Sequence, residues 1–174
     1  MPLSGAAVSV LELAKQLQSS APSSYIPPSE PIESQSESIL PKDLLRSRRG
    51  YLESLVTQIN GCYENAWYDS CAAMMRRLTE ILLIEAYHHH GIEARIQNPD
   101  GTYRRFSEII GHAKSGNGPN LAPGSKKWLP SIKECCDLSV HGHRYNARRS
   151  DIDRISVGFR ATVEDLLYCA GINI

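Results

Sequence analysis

Ser150-Asp-Ile-Asp-Arg-Ile-Ser-Val-Gly-Phe-Arg-Ala-Thr-Val-Glu-Asp-Leu-Leu-Tyr-Cys-Ala-Gly171 decides the fold. Ile152, Ile155, Phe159, Val163, Leu166, Leu167 and Ala170 recur at helical spacing and share one stripe. Ser150 and Asp153 have the spacing of a capping box, with Asp151 and Asp153 in the first turn, where negative charge suits the helix dipole. Gly171 ends the pattern. A helix with one long apolar stripe needs others to cover it, and the preceding chain supplies them. Leu52, Leu55, Val56, Ile59 and Tyr63 define one amphipathic segment. Trp67, Cys71, Met74, Leu78, Ile81, Leu82 and Glu85 trace a longer one, which stops at Gly91 behind His88–His90. Phe106–Lys114 makes a short helix, and Ser125 is expected to cap another over Lys126–Leu138. Asn98-Pro-Asp-Gly101 is a turn signal, expected to close a small β-hairpin between Ala94–Gln97 and Thr102–Arg105. The expected fold is all-α: a bundle of four to five main helices, with that hairpin near 94–105.

Residues 1–19 form an N-terminal helical pattern through Val8, Leu11 and Leu17. Residues 20–40 are rich in Ser, Pro and Glu, a composition that buries too little apolar surface to offset ordering entropy, and read as a flexible linker. The main domain then spans 41–174. Formal net charge is zero over 174 residues, which argues against a global field that draws in nucleic acid or membrane. The charge is unevenly spread: residues 1–45 hold Lys15 and Lys42 against Glu12, Glu30, Glu33, Glu37 and Asp43, so the remainder is correspondingly basic. No leader pattern opens the chain and no apolar run is long enough to span a bilayer. Five cysteines without a CxxC pair suit a reducing cytoplasm, as free and mostly buried thiols. Trp67, Met74 and Met75 read as core, and Arg76 as an i, i+4 partner of Glu80.

Chemistry concentrates in His141 to Arg149, between two helical patterns. His141, His143, Arg144, Asn146, Arg148 and Arg149 crowd into nine residues, with Tyr145 among them. Imidazole titrates near neutral pH, and guanidinium grips phosphate bidentately. Arginines, an amide and an aromatic face together suit single-stranded RNA. His141 fits a general base, or a histidine that bonds its own helix end or Asp137. The arginines fit phosphate, or an internal network with Asp151, Asp153, Glu80 or Glu85. His141 and His143 lack further ligands at metal-site spacing, so neither a metal nor another cofactor is expected.

Two longer motifs carry a resemblance. Gly-Cys-Tyr-Glu-Asn-Ala-Trp-Tyr-Asp-Ser-Cys-Ala-Ala-Met-Met-Arg-Arg-Leu-Thr-Glu (61–80) and Asp-Leu-Ser-Val-His-Gly-His-Arg-Tyr-Asn-Ala-Arg-Arg-Ser-Asp-Ile-Asp (137–153) resemble a bacterial family of unknown function. Its fold is similar to the HEPN domains (higher eukaryote and prokaryote nucleotide-binding), over about residues 45–170. The resemblance implies a helical, usually dimeric domain found in toxin–antitoxin, antiphage and RNA-processing systems. Active members carry Arg-x(4–6)-His and cleave RNA without metal. Here His141 stands at the histidine position and Asp137 at the polar position four residues before it, but the arginine position holds Cys136.

The leading expectation is therefore a HEPN-like, homodimeric, cytoplasmic module that binds RNA or a nucleotide. His143, Arg144, Asn146, Arg148 and Arg149 would contact it. One alternative is a divergent metal-independent endoribonuclease using His141 with Asp137. Another is a structural protein that docks on a partner through residues 1–18.

Overall fold

The computed structural model describes residues 38–41, 44 and 50–172. Its helices are α1 (Gly50–Glu64), α2 (Tyr68–His89), α3 (Phe106–Lys114), α4 (Pro123–His141) and α5 (Arg149–Cys169). A 3₁₀ turn, Glu93–Ile96, lies between α2 and α3. The expected all-α bundle is the observed fold. The predicted N-terminal helix (1–19), and with it residues 1–18 as a partner-docking segment, lie outside the described residues.

Side-chain pairing gives the direction of each helix. The Cys71 thiol donates to the Ile59 carbonyl, while the Tyr51 hydroxyl reaches Glu85. Numbers rise on α2 as they fall on α1, so the two are antiparallel. On α4 and α5 the pairs are Asn120 with Cys169 just outside and at the helix ends, Trp128 with Gly158, and Cys135 with Asp151. These two are antiparallel as well. Helix α2 packs on α1, α4 and α5, and α3 lies against α4. The predicted stripe of α5 is buried throughout, from Ile152 to Ala170. Gly158 is required where it stands, because a Cβ there would lie 2.0 Å from the Trp128 ring.

Helix α2 ends as its glycine implied. Gly91, at φ +64°, donates to His88 at 2.9 Å and Ile92 donates to Tyr87 at 3.0 Å, which closes a Schellman motif. Gly171 and Ile172 repeat the motif on Tyr168 and Leu167.

The helix starts differ from expectation. Helix α4 begins at Pro123 behind Ala122, whose N–H donates to the Asp165 carboxylate at 2.9 Å. Proline suits that first position because its missing N–H would have no intrahelical partner. Ser125 is buried inside the first turn and caps nothing. Helix α5 begins at Arg149, and Asp151, not Asp153, accepts the Arg148 N–H at 3.0 Å. Asp153 is instead engaged by Tyr63.

The expected hairpin shrinks to its turn. Gly101 donates to Asn98 at 2.9 Å, and one antiparallel bridge joins Gln97 to Tyr103. Ala94–Ile96 wind into the 3₁₀ turn, which drives Ile96 into the core. Trp67 is not core: it is 62% exposed, while Met75 is fully buried and Met74 partly so.

The folded domain begins before Pro41. Ile39 and Leu40 are buried, so the last residues of the expected linker (20–40) belong to the core. Asn60, itself fully buried, holds them in place. Its Oδ1 accepts the N–H groups of Ile39 at 3.0 Å and Leu40 at 3.1 Å, and its Nδ2 donates to the Leu40 carbonyl at 2.8 Å. Among the described residues, no helix is long and apolar enough to cross a membrane.

Asn60→Ala strips partners from three buried backbone groups. We expect it to cost about 2–4 kcal/mol, given the penalty for an unmet buried group. Urea unfolding measures this, and a loss below about 0.5 kcal/mol would show that apolar packing alone holds residues 39 and 40.

Candidate functional site

The sequence-predicted residues divide between two places. Asp137 and His141 lie one turn apart on α4, since residues i and i+4 share a helix face. Both line an open groove of about 610 Å³ between α3 and α4, together with Ser107, Ile110, Lys114, Pro130, Lys133, Glu134 and Leu138. Asp137 is held from two sides. Lys133 donates to its Oδ2 at 2.5 Å, and the Arg76 guanidinium of α2 pairs with its Oδ1. Arg76 also lies over the Phe106 ring, 4.6 Å from its centre. Arg76 therefore answers to Asp137, not to Glu80 alone. Burial raises the Glu80 carboxyl above its usual range, and the Arg76 charge opposes that rise. His141, at the last turn of α4, is exposed.

Cys136 occupies the position where the resemblance implies an arginine, and it is fully buried. Burial pushes its thiol up, as it pushes the Cys71 thiol up to about 12 and the Cys169 thiol up to about 11. All five thiols are unpaired, and only Cys62 is not buried. These are inert packing groups.

The second place is the connection from α4 to α5. The N–H of Ala147 donates to Asp69 Oδ1 at 2.9 Å, which docks this connection on the first turn of α2. Arg149 then reaches the end of α1. Its Nε donates to the Tyr63 hydroxyl at 3.0 Å, and its guanidinium stands 5.2 Å from the centre of the Tyr63 ring. Tyr63 in turn donates to Asp153 at 2.5 Å, and Arg149 approaches the same carboxylate at 3.7 Å. The Asp153 bond holds the Tyr63 phenol above its ordinary pKa. Tyr63 and Tyr68 meet edge to face, 6.0 Å between centres.

The expected internal network exists for Arg149 only. Asp151 is taken by the Arg148 N–H, the Tyr145 hydroxyl and, at 3.8 Å, Arg154. His143, Arg144, Asn146 and Arg148 are exposed, and none of their side chains makes an ion pair among the described residues. The acids of this corner accept bonds from backbone, tyrosine or other arginines; the Arg148 charge also helps hold the Asp151 carboxyl down, and the Arg144 and Arg148 side chains are exposed. No group of three or more His, Cys, Asp or Glu placed to hold a metal ion occurs among the described residues.

Three contributors escaped the reading of the sequence. Tyr63 has the spacing of a core residue, Arg76 has an acid four residues on, and Trp67 has the look of core. The one available signal was the Asn65-Ala66 break between two apolar runs, which makes Trp67 a junction residue. Comparisons with family models, with curated proteins and with solved structures find no match.

Asp151 supplies a pH test. Its hydrogen bonds from Arg148 and Tyr145 hold its carboxyl below the usual range. A depressed folded-state pKa stabilises above the unfolded value and is lost as pH falls through the folded one. Asp151→Asn should therefore cost about 0.5–1 kcal/mol at neutral pH, typical of a first-turn acid. The deficit should close as pH drops below about 4. Thermal melts across pH measure it, and a deficit that stays constant down to acid pH would refute the assignment.

Proposed function

We propose that this chain is a HEPN-like module that binds RNA or a nucleotide through the segment from His141 to Arg149. The observation that carries this reading is the surplus of cation there. Arg144 and Arg148 are exposed without an ion pair among the described residues, while Asp69 and Asp151 accept the N–H groups of Ala147 and Arg148, and Asp153 accepts the Tyr63 hydroxyl. Guanidinium groups so placed suit phosphate oxygens, and His143 and Asn146 add hydrogen-bonding groups beside them. Arg149 has a narrower role in this reading: it braces the segment against Tyr63 and Asp153. A homodimer, a cytoplasmic setting and a place in bacterial defence or toxin–antitoxin systems belong to the same reading, and rest on the family resemblance.

A second reading is favoured by one arrangement. Asp137 and His141 share a groove, and Arg76 comes from α2 to the side of Asp137. A divergent, metal-independent endoribonuclease would use His141 on the ribose 2′-hydroxyl. Arg76 is already committed to Asp137 and to the Phe106 ring, which leaves less of its charge for a phosphorane. We therefore place binding ahead of cleavage.

The double variant Arg144→Ala, Arg148→Ala should weaken binding of a single-stranded RNA about tenfold or more at low salt. It should also lower the slope of log affinity against log salt by about 1.4, from two lost phosphate contacts on a single strand. Fluorescence anisotropy reads both. An unchanged slope would remove these arginines from the interface. Incubating the same RNA with EDTA should leave it intact; cleavage by wild type that His141→Ala abolishes would move the endoribonuclease reading to first place.

A further inference from the structure

We infer that Trp67 is a stacking platform for an unpaired base, so that the ligand of the Arg144–Arg149 segment is a single-stranded nucleic acid. This rests on the binding reading above and specifies its ligand.

Trp67 sits at the junction of α1 and α2, as the residue before the first turn of α2. Its side chain is 62% exposed, although its neighbour Cys71, one turn on, is fully buried. The junction is a close turn. Ala66 takes a left-handed backbone at φ +59°, costly for a residue with a Cβ, and the Trp67 N–H donates to the Cys62 carbonyl at 2.8 Å. The chain thus spends strain to end α1 and start α2 within a few residues, and Trp67 is left outside the core.

The same junction receives the basic segment. Tyr63 lies four residues before Trp67 and holds Arg149; Asp69 lies two residues after it and holds the N–H of Ala147. Bonds on both sides of Trp67 therefore tie it to 147–149. The corner thus joins the exposed Trp67 indole to the segment that carries the exposed cations Arg144 and Arg148. A solitary exposed tryptophan needs no explanation. One at a strained junction whose flanking residues bind an arginine-rich segment has the composition of a single-strand site: cations for the backbone and an aromatic face for a base. Duplex lacks the free base faces that such a site would use. Base stacking tolerates any sequence, because every base has a π-face.

The test uses the full chain and a fluorescein-labelled oligoadenylate of about ten nucleotides, beside an abasic oligomer of equal length. Trp67→Ala should weaken oligoadenylate binding roughly 5- to 100-fold, the range for losing one stacked base, while Trp67→Phe keeps most of the affinity. The salt slope should stay at the wild-type value in Trp67→Ala, because no phosphate contact is lost. The abasic oligomer should bind wild type and Trp67→Ala alike. Wild-type tryptophan emission should fall on binding, and the fall should vanish in Trp67→Phe. If Trp67→Ala binds oligoadenylate as wild type does, or the abasic oligomer binds as tightly as oligoadenylate, the stacking site is refuted while phosphate binding stands. If wild type binds neither oligomer, the binding reading fails and this inference with it. Equal melting temperatures for wild type and Trp67→Ala, expected for an exposed side chain, exclude unfolding as the cause.

Discussion

Helix α2 is packed by α1, α4 and α5 at once, so most of its circumference must be apolar. Cys71, Ala72, Met75, Leu78, Leu82, Leu83 and Ala86 meet that demand. Arg76 does not. A guanidinium held mostly out of water costs several kcal/mol unless it is paired. Asp137 supplies the pair from α4, and the Phe106 ring receives the cation's other face. The position of α4 against α2 is thus tied to one charge pair amid apolar contacts. Apolar side chains tolerate sliding by a fraction of a turn more readily than a charge pair does, because burial free energy is non-directional. The pair adds a directional contact to that packing, one turn before His141 on the same helix.

The same economy of polar groups runs through the 147–153 corner. Asp69 accepts the N–H of Ala147, Asp151 accepts that of Arg148, and Asp153 takes Tyr63 with Arg149. Each acid that would repel phosphate is already committed to the fold. A hydrogen bond leaves a carboxylate its charge, so the basic character here comes from Arg144, Arg148 and Arg149, in a chain of zero formal net charge. Asn60 shows the principle with neutral groups. One buried amide satisfies three backbone groups of Ile39 and Leu40, and thereby makes those residues core and not linker.

The helices themselves were legible from residue order. The stripe Ile152 to Ala170, the short helix Phe106–Lys114, the stops at Gly91 and Gly171, and the turn at Asn98–Gly101 all depend on neighbours within a few positions. Periodicity and left-handed glycine are local properties, so a linear reading captures them. Helix starts were less legible. Ser125 and Ser150 have good capping chemistry, yet Ala122 and Arg148 take those roles because Asp165 and Asp151 bind their N–H groups. Ser125 lies in the chain only two residues after the first residue of its helix, and intrinsic preference there yields to packing.

By itself the sequence determined the all-α class, the places of the main helices in the chain and the concentration of imidazole and guanidinium groups at 141–149. Only the tertiary structure decided which of those groups are spent. It tied Arg149 to Tyr63 and Asp153, left Arg144 and Arg148 exposed, moved Asp137 under Arg76 and Lys133, and turned Trp67 outward. The physical reason is distance along the chain. Arg76 with Asp137, Tyr63 with Asp153 and Asp69 with Ala147 are each separated by sixty residues or more. A hydrogen bond depends on position within a few tenths of an ångström, and only the packed bundle supplies that precision.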